Sequence, residues 1–133
     1  METDIHRIWS DLEWIADRPR PAESNRLEEC REFCERELKA AGWKVGRRNF
    51  TAADSAMTSR TGINLVAASP NHTKDAAKFV LGAHLDSRPE TPGADDNASA
   101  VAVLLEVARI LGPELSLASK TAMPAQLELV VFD

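Results

Sequence analysis

The stretch that constrains this chain most lies between Phe79 and Ser99. Phe79-Val80-Leu81-Gly82-Ala83, rich in β-formers, leads into His84-Leu85-Asp86-Ser87, and after a loop containing Pro89 and Pro92 the chain resumes as Gly93-Ala94-Asp95-Asp96-Asn97-Ala98-Ser99. Alternation along a strand puts His84 and Asp86 on one face at its exit. Val101, Leu104, Leu105, Ala108 and Leu111 then recur at helical spacing, so Asp95 and Asp96 fall at a helix N-terminus, where negative charge is favoured. An imidazole at a strand tip and carboxylates at the mouth of the next helix are suitable equipment for a divalent metal.

The rest of the chain supplies an architecture around that unit. Ile5, Ile8, Trp9, Leu12 and Ile15 predict an amphipathic helix over residues 4–17, stopped by Pro19 and Pro21. Asn25 with Glu28 has the spacing of an N-cap and its acidic partner. Leu27, Cys30, Cys34, Leu38 and Ala41 then form an apolar stripe, and Gly42 is the expected C-cap. Strands are predicted over residues 43–50, 63–68, 78–84 and 126–132, the last apolar enough to be covered on both faces, with a loop or irregular hairpin arm over 51–61. His72 falls in a Ser-Pro-Asn turn, where solvent is its expected environment. The helix following Asp96 is predicted over 98–111 and ends at Gly112-Pro113. The order α-α-β-β-β-α-β, with a crossover through the third helix, predicts a single domain over residues 1–133 built as a three-layer α/β sheet. Ligands bind such sheets beyond the carboxyl ends of the strands, which is where His84 and Asp96 fall.

Composition narrows the function. The 16 basic and 21 acidic side chains are interspersed, which leaves no basic stripe for nucleic acid and no polybasic patch for a membrane. The apolar runs are too short for a bilayer span, and Asp4, Asp11 and Glu13 stand where a signal peptide is basic and then apolar, so the expected location is cytoplasmic. Cys30 and Cys34, four residues apart on one helix face, are expected to be small buried side chains in a reducing compartment.

Each site residue also has an ordinary structural reading. A histidine ending a strand is commonly just a satisfied polar group, and Asp95, Asp96, Asn97 and Ser99 are all good helix caps. The conjunction of His-x-Asp, a short return loop and paired carboxylates favours a metal site. The histidine suits zinc or a similar transition ion better than calcium or magnesium.

Gly82-Ala83-His84-Leu85-Asp86-Ser87 and Pro92-Gly93-Ala94-Asp95-Asp96-Asn97-Ala98-Ser99 together resemble the signature of the co-catalytic dizinc aminopeptidases, metallopeptidase family twenty-eight, which includes the glutaminyl cyclases. The two N-terminal helices, the small meander and the Val-Val-Phe-Asp strand are similar to that family as well. The resemblance implies a zinc-exopeptidase-like, phosphorylase/hydrolase-like α/β/α fold with a mixed sheet. It implies that His84 binds one zinc, that Asp96 bridges two, and that Asp86 is the catalytic-site carboxylate that orients the histidine. A ligating imidazole needs its other nitrogen held in this way. Ala100 stands where the family usually has glycine.

In that family the Val-Val-Phe-Asp strand leads to a general-base glutamate and a glutamate ligand, and a later aspartate and histidine complete the metal shells. The resemblance therefore implies that these residues correspond to the N-terminal portion of a zinc-aminopeptidase domain, truncated before the base and expected to be inactive alone. The implied substrate is a peptide or protein N-terminus, and the implied reaction is exopeptidase hydrolysis. A glutaminyl-cyclase-like acyltransferase and a non-catalytic binding module of the same fold are the alternatives. An uncovered strand at 127–132 is expected to leave a hydrophobic sheet edge open to self-association.

Overall fold

Helix α1 spans Ile5–Ile15 in the computed structural model, which describes residues 2–69, 72–117 and 123–133. Asp4 starts it, its carboxylate accepting from the amides of His6 (3.0 Å) and Arg7 (3.2 Å), two donors that a helix N-terminus otherwise leaves without partners. The predicted apolar stripe is only partly buried. Ile15 is in the core and Leu12 packs against it, but Ile5 and Trp9 are exposed, and the buried place one turn before Ile15 goes to Asp11.

Helix α2 spans Asn25–Ala40, and its cap is Ser24 rather than the expected Asn25. Ser24 has extended backbone, and its Oγ accepts from the Leu27 amide at 3.1 Å, while Asn25 is already helical. Leu27, Cys30, Cys34 and Leu38 are fully buried, as their spacing predicted. Both cysteines are free, and burial pushes both thiols up from their ordinary values. Beyond the helix the Trp43 amide donates to the Leu38 carbonyl and the Gly42 amide to that of Lys39. That paired closure needs the left-handed φ of +90° that Gly42 supplies.

Strand β1 (Lys44–Ala53) pairs with β2 (Ser59–Ala68) antiparallel along its whole length, from Lys44 opposite Ala68 to Ala53 opposite Ser59. The segment 51–61 is therefore mostly strand. Its apolar alternation is missing because this arm is exposed to solvent on both faces. Asp54 fixes the reversal locally, its Oδ1 accepting from the amides of Ala56 (2.9 Å) and Thr58 (2.8 Å).

Strands β3 (His72–His84) and β4 (Met123–Phe132) are joined through helix α3 (Ser99–Leu117) and run parallel, with Ala77 beside Ala125 and His84 beside Phe132. The sheet order is β1-β2-β4-β3, with β2 antiparallel to β4. Pro70, Asn71 and the side chain of His72 lie outside the described residues, so the expected solvent environment of His72 is not placed. Helix α3 does not stop at Gly112-Pro113 but continues to Leu117. The proline removes one amide donor without forcing the chain out of the helix. Gly112 is needed for a different reason: a side chain there would meet the Ala41 carbonyl oxygen at 1.8 Å, so its absence lets α3 lie against the end of α2.

One face of the sheet, carrying Leu65, Ala67, Ala83, Leu129 and Val131, packs with the buried side chains of the helices into a single core. Trp43 closes it, its indole donating to the Ala108 carbonyl at 2.9 Å. The mixed α/β architecture is the predicted one. Strand β4 differs from expectation in two respects. Only one of its faces is in the core, and it lies inside the sheet between β2 and β3, so the edges are β1 and β3, and it is on β3 that Phe79, Val80 and Leu81 are exposed. A strand arriving last by a parallel crossover has inserted into the interior, which chain order alone does not reveal.

Candidate metal centre

Three elements meet at the carboxyl ends of β3 and β4. Strand β3 delivers His84, the next two residues deliver Asp86, and one wide helical turn, Ala94–Ala98, delivers Asp96 to the same place. The imidazole stands between the two carboxylates: Nδ1 lies 3.1 Å from Asp86 Oδ1 and Nε2 lies 2.9 Å from Asp96 Oδ1. The sequence-predicted trio is thus brought together across a separation of twelve residues. Asp95 is exposed and makes no side-chain bond to the histidine.

The capping reading of the acidic residues does not describe this turn. Gly93 occupies the cap position with φ +58°, and no side chain caps the turn. Asp96 itself has non-helical backbone (φ −120°, ψ 88°), which turns its carboxylate away from the helix and towards His84, and the Asp96–Asn97 peptide is cis. Ser99 Oγ donates to the Asp95 carbonyl at 3.1 Å instead of capping an amide. Gly93 cannot be replaced without strain. A Cβ there would sit 2.5 Å from the Asp96 carbonyl oxygen and 2.9 Å from Ser87 Cβ, quite apart from its left-handed backbone.

The side chains differ in access. His84 is 33% and Asp86 36% exposed, whereas Asp96 is 85% exposed. Phe132, beside His84 in the sheet register, lies 6.3 Å from the imidazole, centre to centre, and supplies an apolar flank. The Leu85 amide donates to the Phe132 carbonyl at 2.6 Å and fixes the strand exit.

Two residues that hold this edge together were not singled out by sequence reasoning. Arg20 is fully buried and donates to the carbonyls of Leu85, Pro92 and Gly93, the last at 3.1 Å. Burial pushes its guanidinium down from its ordinary value, while the Asp86 carboxylate acts in the opposite sense. The only sequence signal was its position between Pro19 and Pro21, in a segment legible merely as a helix stop. Arg31, also buried, grips Asp133 with Nε at 3.1 Å and with Nη2 at 2.5 Å. Asp133 further accepts from the Ile63 amide at 2.9 Å, so α2, β2 and the end of β4 share one carboxylate.

The chemistry of this arrangement follows from its donors. With Nδ1 turned to Asp86, the other ring nitrogen faces a carboxylate oxygen, and two lone-pair atoms so placed need a cation between them or a proton on one. Among the described residues no cluster of three or more histidine, cysteine or acidic side chains forms a complete metal shell.

Comparison with known proteins places the fold and the family. The model of Peptidase family M28 matches residues 64–132, more than half of the chain. Aminopeptidase YwaD of Bacillus subtilis is 40% identical over 66 residues, which is 49% of this chain and 14% of that protein. Among solved structures, glutaminyl cyclase of Porphyromonas gingivalis superposes with a TM-score of 0.81 at 25% identity, covering 98% of this chain and 45% of its own. A Bacteroides vulgatus protein assigned as a Zn-dependent exopeptidase gives 0.77 at 27% identity, covering 100% of this chain and 48% of its own. The chain spans 14% of the length of the curated relatives it matches and about half of these solved chains. With more than half its residues matched by the family model and its whole length fitting the fold, the chain belongs to Peptidase family M28.

Proposed function

We propose that His84 and Asp96 are zinc ligands of an aminopeptidase site acting on peptide or protein N-termini, and that Asp86 fixes the His84 ring. The observation that carries this reading is the imidazole held between two carboxylates, with Nε2 and Asp96 Oδ1 only 2.9 Å apart at an exposed strand end. The donor set fits zinc, which accepts imidazole nitrogen and carboxylate oxygen together, better than it fits a hard cation with all-oxygen ligands. Zinc held there would supply Lewis acidity towards a peptide carbonyl and towards water. The contribution of this chain is positional. Asp86 would accept a hydrogen bond from Nδ1–H and so leave Nε2 free to ligate, Asp96 would offer an exposed carboxylate to the metal, and Phe132 shields one side of the ring.

A glutaminyl-cyclase-like acyltransferase is the second reading, favoured by the fold match to the Porphyromonas gingivalis enzyme. Turnover of either substrate by this chain would separate the two. The 133-residue chain is expected to take up zinc weakly in equilibrium dialysis, to lose that uptake on Asp96→Ala, and not to turn over an aminoacyl anilide, because two ligands fall short of the three that a catalytic zinc uses. Anilide turnover above an Asp96→Ala control contradicts the incomplete-site reading. Cyclisation of an N-terminal glutamine in its place favours the acyltransferase. Self-association of two copies through the β3 edge, with a cytoplasmic location, completes the proposal. A monomer in size-exclusion chromatography at high concentration removes the self-association.

A further inference from the structure

We propose that Arg20 is a positioning residue for this site, its buried guanidinium joining the carbonyls of Leu85, Pro92 and Gly93 so that Asp86 and Asp96 are held in register about His84. The inference rests on the zinc reading above and goes beyond it, because Arg20 lies outside the signature and touches neither His84 nor Asp96.

Among the described residues the buried cations fall into two kinds. Arg26 and Arg31 each donate to at least one carboxylate. Arg20, although fully buried, has no carboxylate at hydrogen-bonding distance among the described residues, and its three nitrogens go to three backbone carbonyls. A buried charge without a contacting counter-charge is costly, and an apolar residue would fill the same space at less cost. What an apolar residue cannot do is satisfy three carbonyls at once from a rigid planar fork.

Those carbonyls are the two ends of the loop that separates the ligands. Leu85 lies between His84 and Asp86. Pro92 and Gly93 precede the turn that carries Asp96, and the Gly93 carbonyl also accepts from the Ala98 amide at 3.1 Å, closing that turn. The backbone of Arg20 adds a second clasp: its amide donates to Ser87 Oγ at 2.9 Å, and its carbonyl accepts from the Ser87 amide at 3.1 Å. Within the loop the remaining bonds are local, from Ser87 Oγ to the carbonyl of Arg88 (3.1 Å) or Thr91 (3.0 Å), from the Thr91 amide to the Arg88 carbonyl (3.4 Å), and from the Gly93 amide to Thr91 Oγ1 (3.1 Å). One side chain therefore sets the distance between the strand exit and the helix mouth.

The test compares Co2+ affinity, read from the visible absorption of the ion, in the wild-type 133-residue chain and in Arg20→Met, Arg20→Lys, Glu106→Gln and His84→Ala. Glu106→Gln loosens the helix layer away from the site and controls for a general loss of stability. The expected result is a fall in affinity of about ten- to hundredfold in Arg20→Met with an altered absorption band, the range found when a group that orients a ligand is removed. Arg20→Lys gives little rescue, since an ammonium keeps the charge but not the fork, and Glu106→Gln keeps wild-type affinity despite a lower melting temperature. Wild-type affinity in Arg20→Met, or full rescue by Arg20→Lys, overturns the proposal while leaving the zinc reading intact. Equal binding by wild type and His84→Ala overturns the zinc reading itself and the proposal with it. Should Arg20→Met fail to fold, Ser87→Ala removes the hydroxyl that accepts from the Arg20 amide and bonds the Arg88 and Thr91 carbonyls, leaving the Ser87 amide to Arg20 carbonyl bond in place, with weaker Co2+ binding expected and unchanged binding counting against the proposal.

Discussion

Two charged clusters sit at different places in this molecule, and they are built on opposite plans. In the helix layer, Arg109 donates to Asp11 at 2.5 Å and to Glu37 at 2.9 Å, while Glu106 accepts from Arg7 through both oxygens at 2.7 Å and from the Asp4 amide at 2.9 Å. That cluster joins α1, α2 and α3, and each of these groups spends its bonding capacity on another part of the chain. At the sheet edge the buried cation Arg20 binds only backbone, and the carboxylate of Asp96 is left 85% exposed. The closed cluster spends its charges on stability, and the open one keeps an acceptor free for a ligand.

This contrast is sharpest under mutation. The largest effect is expected in the closed cluster: Arg109→Met leaves buried Asp11 without its cation, while Glu106 keeps Arg7, and is expected to cost about 3–5 kcal/mol in urea unfolding, with Co2+ affinity unchanged in the fraction that folds. Gly93→Ala comes next, at about 1–3 kcal/mol from its left-handed backbone, with a further contribution from the contact with the Asp96 carbonyl. Unlike Arg109→Met it is expected to lower metal affinity, and unaltered affinity would mean that the Asp96 turn is not set by this glycine. Smaller again is the pH response. Chiefly through its hydrogen bonds from Arg7, Glu106 is held below the usual carboxylate range, against the opposing effect of burial. A depressed folded value contributes stability that is present above the unfolded value of about 4.3 and is lost as pH falls through the folded value. Urea midpoints are therefore expected to decline below about pH 4.3, and Glu106→Gln to make that decline shallower. The smallest change in stability is expected for Asp96→Asn, within about 0.5 kcal/mol, because its side chain is exposed. A large loss of stability there would place Asp96 in the structural class and erase the contrast.

The sequence made the open cluster easier to read than the closed one. His84, Asp86 and Asp96 could be grouped because strand alternation and helix-mouth geometry act over a few residues, and both were visible between Phe79 and Ser99. Arg109 with Asp11 and Arg31 with Asp133 join residues about a hundred positions apart, so no local pattern announces them. Arg20 was hidden for another reason: its partners are backbone carbonyls, which carry no side-chain identity in a sequence. The stripe of Ile5 and Trp9 misled because periodicity marks an apolar face without saying that another element covers it. The insertion of β4 between β2 and β3 belongs to tertiary pairing, and it moved the apolar edge from the final strand to β3. Gly112-Pro113 read as a stop because proline usually follows a helix end, whereas here the glycine allows close packing against Ala41 and the helix runs on through the proline.

The central claim is that His84 Nε2 and Asp96 offer one cation a shared place. Isothermal titration with zinc at neutral pH, on the wild-type chain and on His84→Ala, tests it most directly. A saturable heat in the wild type that disappears in His84→Ala while the unfolding free energy stays within about 0.5 kcal/mol of wild type is the predicted result. Indistinguishable heats from the two proteins would contradict it.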